Sequence, residues 1–491
     1  MKLLEGMNKW SKSEKILHIT GWAAAVVQIA ASIFFMVNLM RVNVLPKDYT
    51  IMIGALLILV CCAVVITQHW KIPGIITKVV SVIITVALLF VSVKYIIPTN
   101  SAIGNVVNNK SQTQVGIYTL KSSGLDSLDS VKDLEFGYVD DSNKSMENAL
   151  EMLSEDLGGD VKSRNYDNAE SLADALYSGE VKVILLNTAM ISLLSNHTDF
   201  ENETNCIKKY VIEFVYQNTN NEEYLSGDDI LALYVSGIDV AGSPSENRNS
   251  DVNILVVVNK KTNQILMINT PRDFYVPTTE SVAHNGLPDK LTHAGCYGID
   301  CSIGTLEMLY GINIDYYIKL NFTGFVEVID RLGGIDVESE FDFVTTHGGD
   351  HIVAGMNHLN GTQALGFARE RYAFATGDRQ RGKNHMIIIT AMMKKLMSSD
   401  ILKNYSEILE ALSESMVTSM PKDEIGNFVK YQLNKMPSWD IMNYSVNGSG
   451  DNLLCYSLSA PNYVMIPDQA TVDQAKAYLT QIFNNEKITV E

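Results

Sequence analysis

Three apolar runs open the chain, at about 19–40, 50–67 and 75–97. Each is long enough, or nearly so, to cross a hydrocarbon layer of roughly 30 Å. The first carries Gln28 and Asn38, is too long for a cleaved leader and is followed by two more, so all three read as membrane spans. None shows the polar face that a helix on a soluble core presents. Lysine and arginine crowd the N-terminal tail, 1–18 (Lys2, Lys9, Lys12, Lys15), and the second link (Lys71, Lys78, with His69), while the first link has Arg41 and Lys47 beside Asp48. That bias predicts a cytoplasmic N-terminus and an extracellular remainder after about residue 98.

Beyond the spans the period changes. Residues 99–114, TNSAIGNVVNNKSQTQ, are polar and read as a tether. VGIYTL, LEFGYVD and VKVILLN then read as strands, alternating with helical stretches near 143–158 and 168–178. This pattern predicts a small α/β accessory domain over 115–222 with a largely parallel sheet. From 223 to 491 a larger domain follows. DILALYVSGID is a strand, and VNILVVVN and QILMINT form a strand pair around the turn Lys260–Asn263. Helices are expected at 303–310, at 324–332 with Gly333-Gly334 as the stop, at 361–370 behind an Asn360 cap, and at 379–398. A C-terminal extension adds helices near 402–415, 423–433 and 470–484 with short strands between.

At 491 residues two or three domains are expected, and a net charge of −18 argues against nucleic acid as a partner. Against this acidity stands one basic knot, Asn360 to His385, with Arg369, Arg371, Arg379, Arg381 and Lys383. Guanidinium forks match phosphate oxygens in pairs, so the knot suits a phosphate or diphosphate better than a solvated charged face. Arg369 and Arg371 form a clamp only where a helix ends between them. Arg381 and His385, four apart, share a helix face. Asp239, Asp251 and Arg272 stand at strand ends, where α/β ligand sites form. Two carboxylates facing arginines can hold a divalent metal bridged to phosphate. His293 and His385 are candidate proton carriers, weighed against ordinary structural histidines. Cys296 and Cys301 leave a disulfide and two free thiols both open. The chain has no P-loop, G-x-G-x-x-G after a strand, H-E-x-x-H or G-x-S-x-G. The 115–200 stretch has no clustered His, Cys or Arg and reads as a spacer.

In order, SDVNILVVVN, INTPRDFYVP, DKLTHAG, YYIKLNFTGFVEVIDRLGGIDV, HLNGTQALGFARERY and GDRQRGKN resemble the motifs of the LytR-CpsA-Psr family over about 225–400. Three spans followed by an accessory domain resemble its CpsA branch, linked to capsule polysaccharide. The resemblance implies an α/β/α catalytic domain with a central mixed sheet and a long apolar pocket for a polyprenyl chain. It implies transfer of a glycopolymer, such as teichoic acid or capsule polysaccharide, from a polyprenyl-pyrophosphate carrier to peptidoglycan at the outer face of the membrane. By the matching motifs, Arg272, Lys290, Arg369, Arg371, Arg381 and His385 meet the pyrophosphate. Asp239 and Asp251 hold Mg²⁺ (or Mn²⁺) or act on the incoming hydroxyl, and Arg371 joins them as a catalytic residue. The family usually has Gln where this chain has His385, whose charge would then vary with pH. It often has Arg where this chain has Asn249, with Arg248 one step earlier. Two rivals remain: a polyprenyl-pyrophosphate pyrophosphatase, and a non-catalytic regulator that binds the lipid intermediate.

Overall fold

The computed structural model describes residues 12–67, 71–108, 110–214, 216, 221–227, 229–238, 244–375, 377–397 and 405–490. The chain divides into two compact units. The first is Met1–Asn105 with Tyr405–Glu410 and Pro421–Pro437; the second is Val106–Asn404, Ala411–Met420 and Ser438–Glu491.

In the first unit, helices Lys12–Val42, Lys47–Thr67 and Lys71–Val91 follow one another, and the third continues through a π turn, Ser92–Ile96, into helix Ile97–Asn108. Three stretches, His18–Val42, Lys47–Thr67 and Gly74–Asn105, are long and apolar enough to cross a membrane. Their outward surface is apolar, with Ile51, Ile58, Leu59, Ile83 and Val86 all exposed, as lipid rather than water requires. Polar side chains turn inward instead: Gln28 and Ser81 are buried, and the Thr67 and Thr77 hydroxyls meet at 2.7 Å. Helix Lys422–Lys435 belongs to this unit, where Asn43 accepts from Lys430 Nζ at 2.8 Å and donates to Asp423 at 3.1 Å.

The second unit holds two sheets. The first has five strands in the order Ser163–Asn165, Phe136–Tyr138, Val183–Asn187, Ser111–Leu120 and Thr204–Phe214, with Val183–Asn187 at its centre. Helices Ser145–Leu157 and Ala169–Ser178 cover it. A small α/β sheet stands where the accessory domain is expected, and it differs from expectation in two ways. Its sheet is mixed: Ser111–Leu120 runs antiparallel to both neighbours, while Val183–Asn187, Phe136–Tyr138 and Ser163–Asn165 pair in parallel. The tether over 99–114 is not one: helix reaches Asn108 and a strand of the sheet starts at Ser111. The polar residues that read as solvent-exposed linker include Ser111 and Thr113, which are fully buried among hydrogen-bonding partners. The strand Thr204–Phe214 went unread because its inward positions alternate with lysines and Glu213.

The second sheet has six strands. Ile230–Ile238, Val252–Asn259 and Gln264–Asn269 run antiparallel in its middle; Tyr316–Asn321 and Asp440–Ser445 add in parallel on either side, and Met416–Thr418 forms one edge. All eight residues of Val252–Asn259 are buried, as the continuous run of branched side chains requires of a strand covered on both faces. Tyr234, Leu255, Val257, Leu266 and Ile268 pack one face against helices Ile299–Tyr310 and Gln469–Phe483. Helix Asp378–Leu396 lies over the other face, with helices Phe322–Arg331 and Gly361–Arg369 packed alongside it. This is the three-layer α/β/α arrangement expected. The tail is integral to it, since Asp440–Ser445 and helix Gln469–Phe483 complete the sheet and one layer.

The two sheets share an apolar cluster. Tyr118, Leu172, Leu176 and Phe200 of the accessory domain pack with Ala294, Cys296, Tyr297, Cys301, Tyr456 and Val464 of the larger domain. Cys296 and Cys301 are buried there as free thiols, so the open disulfide question resolves against a bond.

Candidate active site

The site is built at the ends of the central strands. Strand Val252–Asn259 starts one residue after Asp251, whose N–H donates to Gly237 O at 2.9 Å and so continues the ladder. Strand Gln264–Asn269 ends three residues before Arg272, and the hairpin brings the two together: Arg272 Nη1 donates to Asp251 Oδ1 at 2.6 Å. Arg272 Nε lies 3.6 Å from Asp273 Oδ2, and Lys290 Nζ lies 3.5 Å from Asp273 Oδ1 and 3.2 Å from Asn462 Oδ1. Burial works against the Arg272 charge, but Asp251, Asp273 and Asp378 outweigh it and hold the guanidinium above its ordinary pKa.

Helix Asp378–Leu396 supplies the other half. Arg381 pairs with Asp378 one turn earlier. Its pKa is lowered, first by burial and also by the nearby charges of Arg272 and Arg371. Those like charges put Arg272, Arg371 and Arg381 in one electrostatic neighbourhood, in which aspartates hold Arg272 and Arg381. Gly382 leaves room for the Asn269 side chain at the strand end that precedes Arg272: a Cβ there would lie 2.3 Å from Asn269 Nδ2.

Arg369 and Arg371 meet the condition for a clamp. Helix Gly361–Arg369 starts at Asn360, whose side chain accepts from Gln363 N at 2.9 Å while Gln363 accepts back from Asn360 N at 3.1 Å. It ends at Arg369, with Glu370 already extended at φ −66°, ψ 128°. Glu370 is buried and its Oε1 accepts the N–H groups of Arg371, Tyr372 and Ala373 at 2.8–3.1 Å. Burial works to raise its pKa, but these donors and Thr346 prevail and hold it below the ordinary glutamate value. Arg371 lies over the Tyr372 ring, 4.7 Å from its centroid. Glu370 therefore sets the loop that presents Arg371. Glu370→Ala should lower turnover by about tenfold or more through misplacement of Arg371. Glu370→Gln, which keeps an acceptor oxygen, should retain more, and steady-state kinetics on both variants checks it.

His385 sits one turn beyond Arg381, buried, and lines an apolar cavity with Val235, Gly237, Val252, Ile388, Ile389 and Met392. The cavity lies between sheet and helix and measures about 50 Å³. That is roughly a third of the ~150 Å³ that accepts a benzene ring, so the long pocket expected for a polyprenyl chain is closed here to a crevice. Burial, with Arg381 and Arg272 adding to it, pushes the His385 imidazole down to about 3. The expectation that its charge varies with pH is thereby corrected: it is neutral throughout the physiological range. Between pH 6.5 and about 3 the folded state keeps His385 neutral while the unfolded state binds a proton, so stability falls as pH drops through that window. His385→Gln should remove that slope, worth about 1.4 kcal/mol per pH unit at most, in denaturant unfolding at pH 7.5 and 5. It should leave the pH–activity profile above pH 6 unaltered.

The remaining candidates divide plainly. Asp239 follows strand Ile230–Ile238 and lies outside the described residues, so its place beside Asp251 is a matter of sequence alone. His293 is buried, and its Nδ1 meets both Asp289 Oδ1 at 2.6 Å and Ser457 Oγ at 2.8 Å, which suits a structural histidine. Arg379 donates to Gly448 O and secures the tail. Arg248 pairs with Glu246 at 3.1 Å. The sequence reading missed Asp273, Glu370 and Asp378, each an acidic neighbour of an arginine within its own motif (PRD, ARER, GDRQR). Among the described residues, three metal-type ligands come within mutual reach at Glu170, Asp174 and His197 of the accessory domain, not around Asp251. Mg²⁺ needs no such cage, since it binds through one or two carboxylates and takes its other oxygens from substrate phosphate and water. The Asp251 donor set is compatible with that mode.

The LytR_cpsA_psr family model matches residues 190–479. The chain belongs to the LytR-CpsA-Psr family. It is 32% identical over 214 residues to a polyisoprenyl-teichoic acid–peptidoglycan teichoic acid transferase TagU of Bacillus anthracis, covering 43% of this chain and 68% of that protein. The corresponding TagU of Enterococcus faecalis is 29% identical over 215 residues, covering 43% and 69%. Among solved structures, B. subtilis TagV aligns with a TM-score of 0.45 and 26% identity over 54% of this chain and all of that one. TagT bound to LIIa-WTA aligns with a TM-score of 0.43 and 26% identity over 55% and 96%. The family match ends short of the membrane helices and takes in only the end of the accessory domain.

Proposed function

We propose that this LytR-CpsA-Psr protein is a membrane-anchored transferase that moves a glycopolymer from a polyprenyl-diphosphate carrier to peptidoglycan at the outer face of the cell membrane. One observation carries the reading. Arg272 and Arg381, from separate parts of the chain, are held by Asp251 and Asp378 in one cluster under the influence of Arg371, and His385, one helical turn from Arg381, lines an apolar crevice under the same helix. A charged head beside a greasy slot suits an ionised diphosphate on an isoprenoid tail. Relatives named as polyisoprenyl-teichoic acid–peptidoglycan transferases support the same substrate class.

The chemistry follows from the residues. The acceptor hydroxyl attacks the sugar-side phosphorus, forming a new O–P bond, and the P–O–P bridge breaks to release polyprenyl phosphate. The guanidiniums neutralise the charge that grows on the departing phosphate, which is where preset donors act most strongly. Asp251 already accepts from Arg272 Nη1 at 2.6 Å. Its role in this reading is to orient Arg272 and to offer an oxygen to Mg²⁺ or Mn²⁺, which when bound would supply further phosphate neutralisation. Asp239, which follows strand Ile230–Ile238 in the sequence, is the carboxylate this reading reserves for the acceptor proton. Neutral His385 gives its one ring N–H to the Ala368 carbonyl, so it shapes the slot beside the head group without adding charge or a donor. A tail longer than the crevice enters only if helix Asp378–Leu396 moves off the sheet.

The test is reconstitution of the full chain in lipid with a radiolabelled lipid-linked glycopolymer, with and without peptidoglycan. Acceptor-dependent product together with released polyprenyl phosphate supports the reading. Equal release without acceptor makes the chain a pyrophosphatase. Tight donor binding with no turnover, metal supplied, makes it a regulator.

A further inference from the structure

The loop between the two candidate acidic residues is held by the accessory domain. Its described part, 244–250, lies along the first residues of strand Ser111–Leu120. Gln112 N donates to Ser245 O at 2.7 Å, Asn247 N donates to Gln112 O at 3.0 Å, and Gln112 and Glu246 form a parallel bridge. Side chains repeat the register. Asn247 Nδ2 donates to Thr113 Oγ1 at 2.6 Å, Ser111 Oγ donates to Asn247 Oδ1 at 3.2 Å, and Gln114 Nε2 donates to Glu246 Oε1 at 3.0 Å. Ser111, Thr113 and Asn247 are all buried, so these are interior bonds without water to replace them.

The other side of the loop is fixed by the larger domain. Lys319, buried on strand Tyr316–Asn321, donates to Glu246 O. Its ammonium is pushed down to about 7 by burial. Asn249 bridges the two domains, donating to Ser192 Oγ at 3.4 Å and accepting from Cys296 Sγ at 3.1 Å. Ser250 N donates to Thr292 O at 3.1 Å, and Gly295 lets the helix beneath come so close that a Cβ would lie 2.4 Å from Arg248 O. Each residue from Ser245 to Asp251 thus has a hydrogen-bonded neighbour or a close backbone contact, and the run ends on the carboxylate that holds Arg272. No spacer needs this. A domain that merely separates the catalytic part from the membrane has no reason to bury a threonine and a serine against one asparagine of the active-site loop.

We propose that strand Ser111–Leu120 is a positioning element for the transfer reaction: through Gln112, Thr113 and Gln114 it sets the 244–250 loop and thereby Asp251. This rests on the transferase reading of the site. The strand starts three residues after the helix that continues the third apolar span.

Thr113→Val keeps the size and the β-branching but removes the acceptor for Asn247, while Thr113→Ser keeps it. In the full chain in lipid, Thr113→Val should lower kcat for transfer by about tenfold or more. The donor KM should stay within a factor of about two, because Thr113 touches no phosphate-binding group. Amide exchange should rise over 245–251 and not in the core strand Gln264–Asn269. Thr113→Ser should restore both. Unchanged exchange over 245–251, wild-type kcat despite faster exchange, or a loss shared equally by Thr113→Ser would each overturn the proposal. A wild-type chain that never turns over acceptor would instead defeat the transferase reading, and the exchange result would still show whether the strand holds the loop.

Discussion

Asp251→Asn should lower glycopolymer transfer by about 100- to 10,000-fold, the range expected when a charged group that organises a catalytic site is neutralised without a change of shape. Asn occupies the same volume and can still accept one hydrogen bond from Arg272. What it loses is the full negative charge 2.6 Å from that guanidinium. Arg272 would then be drawn to Asp273, 3.6 Å away on the other side, and the oxygen offered to the metal becomes a weak amide ligand. Donor affinity should change only a few-fold, because the cluster becomes more positive as it becomes less ordered. Steady-state transfer with a lipid-linked donor, beside direct donor binding to the same preparation, checks both halves. A variant with intact kcat would remove Asp251 from the reaction altogether.

Arg381→Met should act on the opposite term. Donor affinity should fall by about 2–5 kcal/mol, the usual loss when one member of a buried charge pair is truncated. Two causes add. The diphosphate loses a donor whose pKa is already lowered by burial and by Arg272 and Arg371, and which therefore gains most from an incoming anion. Asp378 is left without its partner, facing the place where that anion must sit. Arg381→Met combined with Asp378→Asn should recover part of the loss, since the second change removes the repulsion. Isothermal titration with a short-chain polyprenyl diphosphate separates the two contributions. If the double variant binds no better than the single, the repulsion from Asp378 is not part of the effect.

Both predictions depend on how the cluster is held, and that was only half visible beforehand. The arginines stood out because they are concentrated in an otherwise acidic chain. Their aspartates did not, since Asp273 and Asp378 look like ordinary turn residues until the strand end and the helix start are placed side by side. His385 shows the same limit in another form. Its spacing from Arg381 located it on the right face, yet its neutrality follows from enclosure by the sheet, which no spacing reveals.

Periodicity alone determined the three apolar spans, the strand pair around Lys260–Asn263, the capped helix behind Asn360 and the stop at Gly333-Gly334. Each of these is decided by local geometry: a helix length, a turn, a reciprocal cap, a residue free to take positive φ. The tertiary structure decided the rest. It turned the polar stretch Ser111–Gln114 from a tether into a buried strand, and left Cys296 and Cys301 as separate thiols. It also drew the tail strand Asp440–Ser445 into the central sheet. In all three cases the outcome depends on which distant groups meet a side chain, and a polar residue reads the same in sequence whether water or Asn247 satisfies it.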